Sequence, residues 1–317
     1  MLINKEAQVA NFNVVFGENE EPMLQYFDTV IYPAFMSELS RKEKDAEYFF
    51  RGVQLLESSV CGYVLVGKIV KKTTLEIYSD IDAEGKLVEK DEHHSSAPYS
   101  TFAIYLRNHR MVLVKNQKGS PTLATFRGTA KKIILAYYKA LNEEIDEKNK
   151  LPEPEIKIVG IPSVRSVEAA LQNANVSRVN KLTLRFYPLN GDLLYNEAFD
   201  IMTNGIRRTL ECKTGEVNYN SPRNIRGIAQ VLEAAVGTID PILEVTTNEK
   251  TKIRIKDTET SERYTIQIQG NADFEEESKE IVSTTENLEV LQFTNDHHDH
   301  IYKKYIEKIL KVISRKR

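Results

Sequence analysis

The chain has 317 residues, of which 41% are hydrophobic and 28% charged, and a formal net charge of −3. That balance excludes a disordered tail, a collagen and a coiled-coil rod, and the length fits two domains of ordinary size. No run approaches the roughly 18 uninterrupted apolar residues of a membrane span, and the start MLINKEAQVANF lacks the basic and apolar regions of a signal peptide.

In chain order, Phe12, Val14 and Phe16 alternate and predict a first strand. Met23–Leu39 carries Leu24, Phe27, Ile31 and Phe35 at helical spacing, with a kink or break expected at Pro33. Strands are predicted over Tyr48–Leu56, Tyr63–Val70 and Thr73–Tyr78, and the polar, acidic Asp82–Ala97 reads as a loop. Phe102, Ile104 and Leu106, then Val112 and Val114, predict two strands joined by a hairpin turn over Arg107–Arg110. Ser120 and Pro121 predict the cap and first position of a helix reaching Leu141. Residues 146–154, nearly devoid of apolar side chains and ending in two prolines, read as a linker. The expectation is an α+β protein with an N-terminal domain over 1–145 and a C-terminal domain over 155–317. Each would be a mixed or antiparallel sheet with packed helices. Beyond the linker come a strand (Ile156–Ile161), a helix (Val164–Gln172), a strand (Leu182–Tyr187) and a helix after Ser221-Pro222. Three more strands (Ile242–Thr246, Thr251–Lys256, Tyr264–Gln269) precede a terminal amphipathic helix over Ile301–Ile313.

The near-neutral total hides segregated charge. Residues 101–140 hold Arg107, Arg110, Lys115, Lys118, Arg127, Lys131, Lys132 and Lys139 and no acid. Lys304, Lys308, Lys311 and Arg315 form a basic stripe on the terminal helix, opposite its apolar one. Arg207, Arg208, Lys213, Arg223 and Arg226 make a third cluster, the last two in the first turn of a predicted helix, where backbone N–H groups favour an anion. Two readings stand. The clusters are solvated faces with acidic partners elsewhere in the fold, or they assemble a phosphate-binding surface. With tryptophan absent and aromatic platforms sparse, the second reading points to duplex backbone contacts rather than base stacking.

Catalytic signatures are weak. Asp296-His297-His298-Asp299-His300 offers metal-ligating side chains in a row but completes no zinc signature. Glu155 and Lys157 have the local spacing of a metal nuclease strand, with Asp146 as an unconvincing upstream acid. His93-His94 sits in the acidic loop. Cys61 and Cys212 are too few for a disulfide framework, and neither looks nucleophilic. No catalytic residue, metal or cofactor is expected, and the expected compartment is a reducing cytoplasm.

From Ile156 onward the order of elements resembles the RexA-like phage-exclusion proteins. The resemblance is carried by IKIVGI, a short helix, LTLRFYPLNGD, YNSPRNI before a helix, three strands and a terminal basic-aromatic helix. It implies an anti-phage (abortive infection) protein that binds duplex DNA without sequence preference as a homodimer and acts with a membrane-protein partner. It carries over no catalytic residue. A metal-dependent nuclease effector is the first alternative. The second is a protein-binding module whose basic faces dock an acidic partner or the chain's own Asp273–Glu280 segment.

Overall fold

The structure, a computed structural model, describes residues 1–191, 197–270 and 272–315. The 15-residue strand β1 (Leu2–Phe16) is followed by the short β2 (Glu21–Pro22). The winding then changes twice, from a 3₁₀ turn over Met23–Tyr26 to a π turn over Phe27–Ile31 to α1 (Tyr32–Met36). Pro33 lies in the first turn of α1, where its missing N–H costs least, so the expected break takes the form of a wide turn just before it. β3 (Ser40–Glu43), β4 (Ala46–Ser58) and β5 (Gly62–Ile81) follow, and β5 joins the two strands predicted over 63–78 into one of 20 residues. The predicted loop over 82–97 is largely a strand, β6 (Leu87–Ser96), antiparallel to the outer half of β5. Its polar composition misled because both its faces meet water.

β7 (Tyr99–Tyr105) and β8 (Arg110–Lys115) form the expected hairpin. α2 (Leu123–Glu143) starts two residues later than predicted, capped by Thr122, whose hydroxyl accepts the Thr125 N–H. Then come β9 (Pro154–Gly160), α3 (Val164–Asn173), β10 (Val176–Phe186), α4 (Glu197–Asp200), a π turn (Ile201–Ile206), α5 (Arg207–Thr209), β11 (Gly215–Asn220) and α6 (Ile225–Ala234). The chain continues through β12 (Asp240–Thr247), β13 (Lys252–Lys256), α7 (Asp257–Thr260), β14 (Arg263–Gln269), α8 (Phe274–Thr285), α9 (Glu289–Gln292) and α10 (Asp296–Ser314).

The protein is α+β, with two antiparallel sheets. The larger runs β14-β1-β8-β7-β5-β4-β3, with β2, β6 and β9 attached beside it. β1 is its spine: β14 pairs with residues 2–8 and β9 with residues 10–16. Alternation along the central strands buries both faces. Phe12, Leu65, Phe102 and Leu113 join Phe35, Phe126 and Ile309 in one core. Val9, Val66, Ala103 and Val112 join Ile281, Val282 and Leu291 in another. The helical stretch 23–36, α2 and α10 thus cover one face, and α8 and α9 the other.

Strand pairing does not follow the expected division at 146–154. β9 and β14, from the far side of the linker, pair with β1, and α8 to α10 cover the first sheet. The second sheet, β11-β10-β12-β13, is built wholly from residues between β9 and β14 and packs its own core against α3 and α6. A strand that buries both faces needs neighbours on both edges, and β1 takes two of them from beyond the linker.

Candidate nucleic-acid interface

Polar side chains fasten the second sheet to the first. Asn190, almost wholly buried, donates its N–H to Asn13 Oδ1 at 2.7 Å, and its amide meets His109 Nδ1 at 3.2 Å. Asn13 Nδ2 donates to the Pro188 carbonyl at 2.8 Å, and within the second unit Tyr187 Oη donates to the Gly237 carbonyl at 2.8 Å. The buried rings of His109 and His298 meet edge to face at 5.2 Å. Neighbouring cations were predicted as surface and are not. Arg110 is fully buried, and its Nη1 donates to the Val236 carbonyl at 2.6 Å. It cannot touch a phosphate: the hairpin turn that holds it is crossed by the chain after α6.

Others are committed to carboxylates. Arg107 grips Asp299 through two bonds of 2.6 and 2.8 Å, which hold the aspartate below the usual carboxylate range and raise the guanidinium. Arg127 reaches the buried Asp257, which also accepts the Gly160 N–H at 2.8 Å. Arg207 is buried on Glu20 at 2.5 Å, and Arg208 shares the same carboxylate at 2.8 Å. Lys308 and Lys311 converge on Asp28 at 3.3 and 2.8 Å. Burial pushes the Asp28 carboxyl up, but the two lysines outweigh it and hold it below its ordinary value. The acidic segment 273–280 does not dock on these faces. It begins α8, and its buried Glu277 meets Lys5 and Lys68 instead.

Asp28→Asn is expected to cost about 1.5–3 kcal/mol, the worth of bonds to a charged group. Because the folded pKa is depressed, the contribution is present above the unfolded aspartate value near pH 3.9 and is lost as pH falls through the folded one. Urea unfolding at pH 7 should separate the variant from the wild type, and the gap should narrow towards pH 2. An equal gap at both pH values would contradict the ion pair as its cause.

Lys118, Lys131, Lys132, Lys139, Lys213, Arg223, Arg226, Lys304 and Arg315 remain exposed, and Lys115 is half-buried. Among the described residues none of them pairs with a carboxylate. Exposed cations of two of the three clusters stand on helices that pack against the same 23–36 stretch. α2 packs on the 23–36 stretch through Phe126 against Phe35, and α10 packs on its other flank, where Tyr305 Oη donates to Gln25 at 2.6 Å. Lys131, Lys132 and Lys139 on α2, and Lys304 and Arg315 on α10, therefore rim one helical layer. Two packing steps of about 8–10 Å separate the two helices. The third cluster stands apart: α6 starts at Ile225 after its cap Asn224, so Arg226 lies in the first turn while Arg223 precedes the cap, outside the turn where it was expected.

The predicted reading missed cations on the outer face of the second sheet. Lys181, Glu244 and Arg254 lie in register, with Lys252 and Lys256 beside them. The alternation Lys252-Ile253-Arg254-Ile255-Lys256 was the available signal.

The candidate catalytic groups do not converge. Asp299 is held by Arg107, His298 is buried against His109, and Asp296, His297 and His300 face solvent. Among the described residues no three His, Cys, Asp or Glu side chains are placed to hold a metal ion. Glu155 stands 4.0 Å from Lys157, and burial raises its carboxyl against the pull of Lys157, Lys213 and Arg207. Burial pushes the Cys61 thiol up, the direction of an unreactive cysteine. No helix among the described residues is long and apolar enough to cross a membrane. No protein-family model matches the chain, and no curated protein matches it.

Proposed function

We propose that the protein binds duplex DNA through its phosphates, without sequence preference and without a catalytic step of its own. Its role would be that of the DNA-recognising member of an anti-phage (abortive infection) system whose membrane partner carries the toxic step. The observation that supports this reading is the helical layer carrying Lys131, Lys132 and Lys139 on one helix and Lys304 and Arg315 on another, none of them paired with an acid among the described residues. Cations that have no acid to satisfy are available to release counterions from a phosphate backbone.

Fluorescence anisotropy with two unrelated duplexes tests it. Five phosphates neutralised predict equal affinity for both and a log–log salt slope of about −4.5. Lys131, Lys132 and Lys139 changed together to Ala should flatten the slope by about 2.7 and weaken both duplexes alike. A salt-independent affinity, or a folded triple variant with an unchanged slope, would exclude this surface. Supercoiled plasmid with Mg²⁺ or Mn²⁺ should stay intact. Nicking that disappears in Glu155→Ala or His297→Ala would favour a nuclease instead.

A further inference from the structure

Beyond Thr73, β5 leaves its neighbours β4 and β7 and pairs with β6 alone, so residues 73–96 project from the first sheet as a two-stranded arm. Leu75, Tyr78, Ile81 and Leu87 are exposed along it. An isolated hairpin is at best marginally stable in water, and this one shows apolar side chains and open strand edges to solvent. The arm is also acidic: Glu76, Asp80, Asp82, Glu84, Glu89, Asp91 and Glu92 face only Lys86 and Lys90. Lys90 is spent on Asp80 and Glu92, at 3.0 and 3.2 Å.

The opposite pattern stands at the end of the second sheet. Among the described residues β13 pairs with β12 alone and leaves its other edge open. Lys252, Arg254 and Lys256 alternate along it on the outer face and are exposed. Glu244 alone serves both Arg254 and Lys181, at 3.0 and 3.7 Å, so the edge keeps a surplus of positive charge.

We propose that the acidic arm of one copy of this chain adds to the basic β13 edge of a second copy, and that two such contacts, exchanged reciprocally, hold a dimer. Backbone groups of β6 extend the second sheet of the partner. Glu89 and Glu92, which a one-residue bulge in β6 sets opposite Ser79 and Ile77 on one face of the arm, meet the cations spaced by two on β13. The exposed apolar side chains of the arm are covered in the same step. Charge selects this pairing over its rivals. Two β13 edges repel through their lysines and arginine, and two arms repel through their carboxylates. Reciprocal exchange closes the assembly at two copies. The proposal does not depend on DNA binding.

Sedimentation velocity of the full chain tests it, from low to high micromolar concentration and at two salt concentrations. The wild type should form a dimer that weakens as salt rises. An arm variant (Glu89→Lys with Glu92→Lys) and an edge variant (Lys252→Glu with Arg254→Glu) should each associate more than about tenfold more weakly. Mixing the two variants should restore dimers, because both contacts then pair opposite charges again. A shortened chain with Asn-Gly in place of residues 74–95, closing the in-register pair Thr73 and Ser96, should be monomeric. Circular dichroism checks that each variant is folded. A wild type that stays monomeric, a dimer indifferent to either charge reversal, or a mixture that stays monomeric would each overturn the proposal.

Discussion

At neutral pH, Glu277→Gln is expected to remove about 3–5 kcal/mol of folding stability, the usual cost of breaking a buried ion pair from one side. Glu277 is buried between Lys5 at 2.9 Å and Lys68 at 3.0 Å, both themselves buried. One carboxylate serves two ammonium groups, with Tyr99 Oη donating to it at 3.2 Å. Burial raises the Glu277 carboxyl, but the bonds from Lys5 and Lys68 outweigh it and the net direction is downward. At Lys68 burial wins over the shared partner and lowers the ammonium, which also lies over the Phe274 ring at 4.3 Å. Gln at 277 keeps the shape and leaves two buried cations without a counter-charge. The Glu277 contribution is present above the unfolded glutamate value, near pH 4.3, and is lost as pH falls through the depressed folded one. Chemical denaturation at pH 7 and again in acid measures both effects. A loss under about 1 kcal/mol at pH 7 would mean that water reaches the lysines and that the pair is not buried in solution.

Phe126→Ala should cost a similar amount, about 3–5 kcal/mol. Its ring is fully buried and meets Phe102 at 5.2 Å, Phe50 at 5.7 Å, Phe12 at 6.4 Å and Phe35 at 6.5 Å. These rings come from strands of the first sheet and from α1, so the cavity would open where α2 and the 23–36 stretch meet the sheet. Lys131→Ala, one turn further along α2 and exposed, should change stability by no more than about 0.5 kcal/mol. Thermal unfolding of the two variants separates the faces of this helix. A Phe126→Ala protein within about 1 kcal/mol of the wild type would mean that the aromatic cluster closes around the gap.

The candidate site was only partly legible. Stripes of lysine on α2 and α10 are periodic, and period alone placed Lys131, Lys132, Lys139 and Lys304 on exposed faces, where they stand. Arg110 lay in a predicted hairpin turn, and turns are usually exposed. It is buried because the chain after α6 crosses it and offers the Val236 carbonyl. Arg107 and Arg127 found their acids 192 and 130 residues away, and no local pattern reports a partner at that distance. The basic edge Lys252–Lys256 was written in plain alternation, yet it could be recognised as an open edge only once β13 proved to be the last strand of its sheet.

The sequence by itself determined the α+β class, the hairpin of β7 and β8, the bodies of α2 and α10 (the latter expected only from Ile301, five residues after its start at Asp296), and the last three strands. Each depends on a periodicity of 2 or 3.6 residues or on a turn signal, and these act over a few residues. The tertiary structure alone decided that β1 takes β14 on its first half and β9 on its second, and that the second sheet is set between those two strands. It also decided which cations are clamps and which are free. Strand pairing and ion pairing satisfy backbone and charge wherever partners meet in space. A polar run such as 87–96 therefore becomes a strand when β5 runs beside it, and a basic residue becomes part of the interior when a carboxylate or carbonyl folds over it.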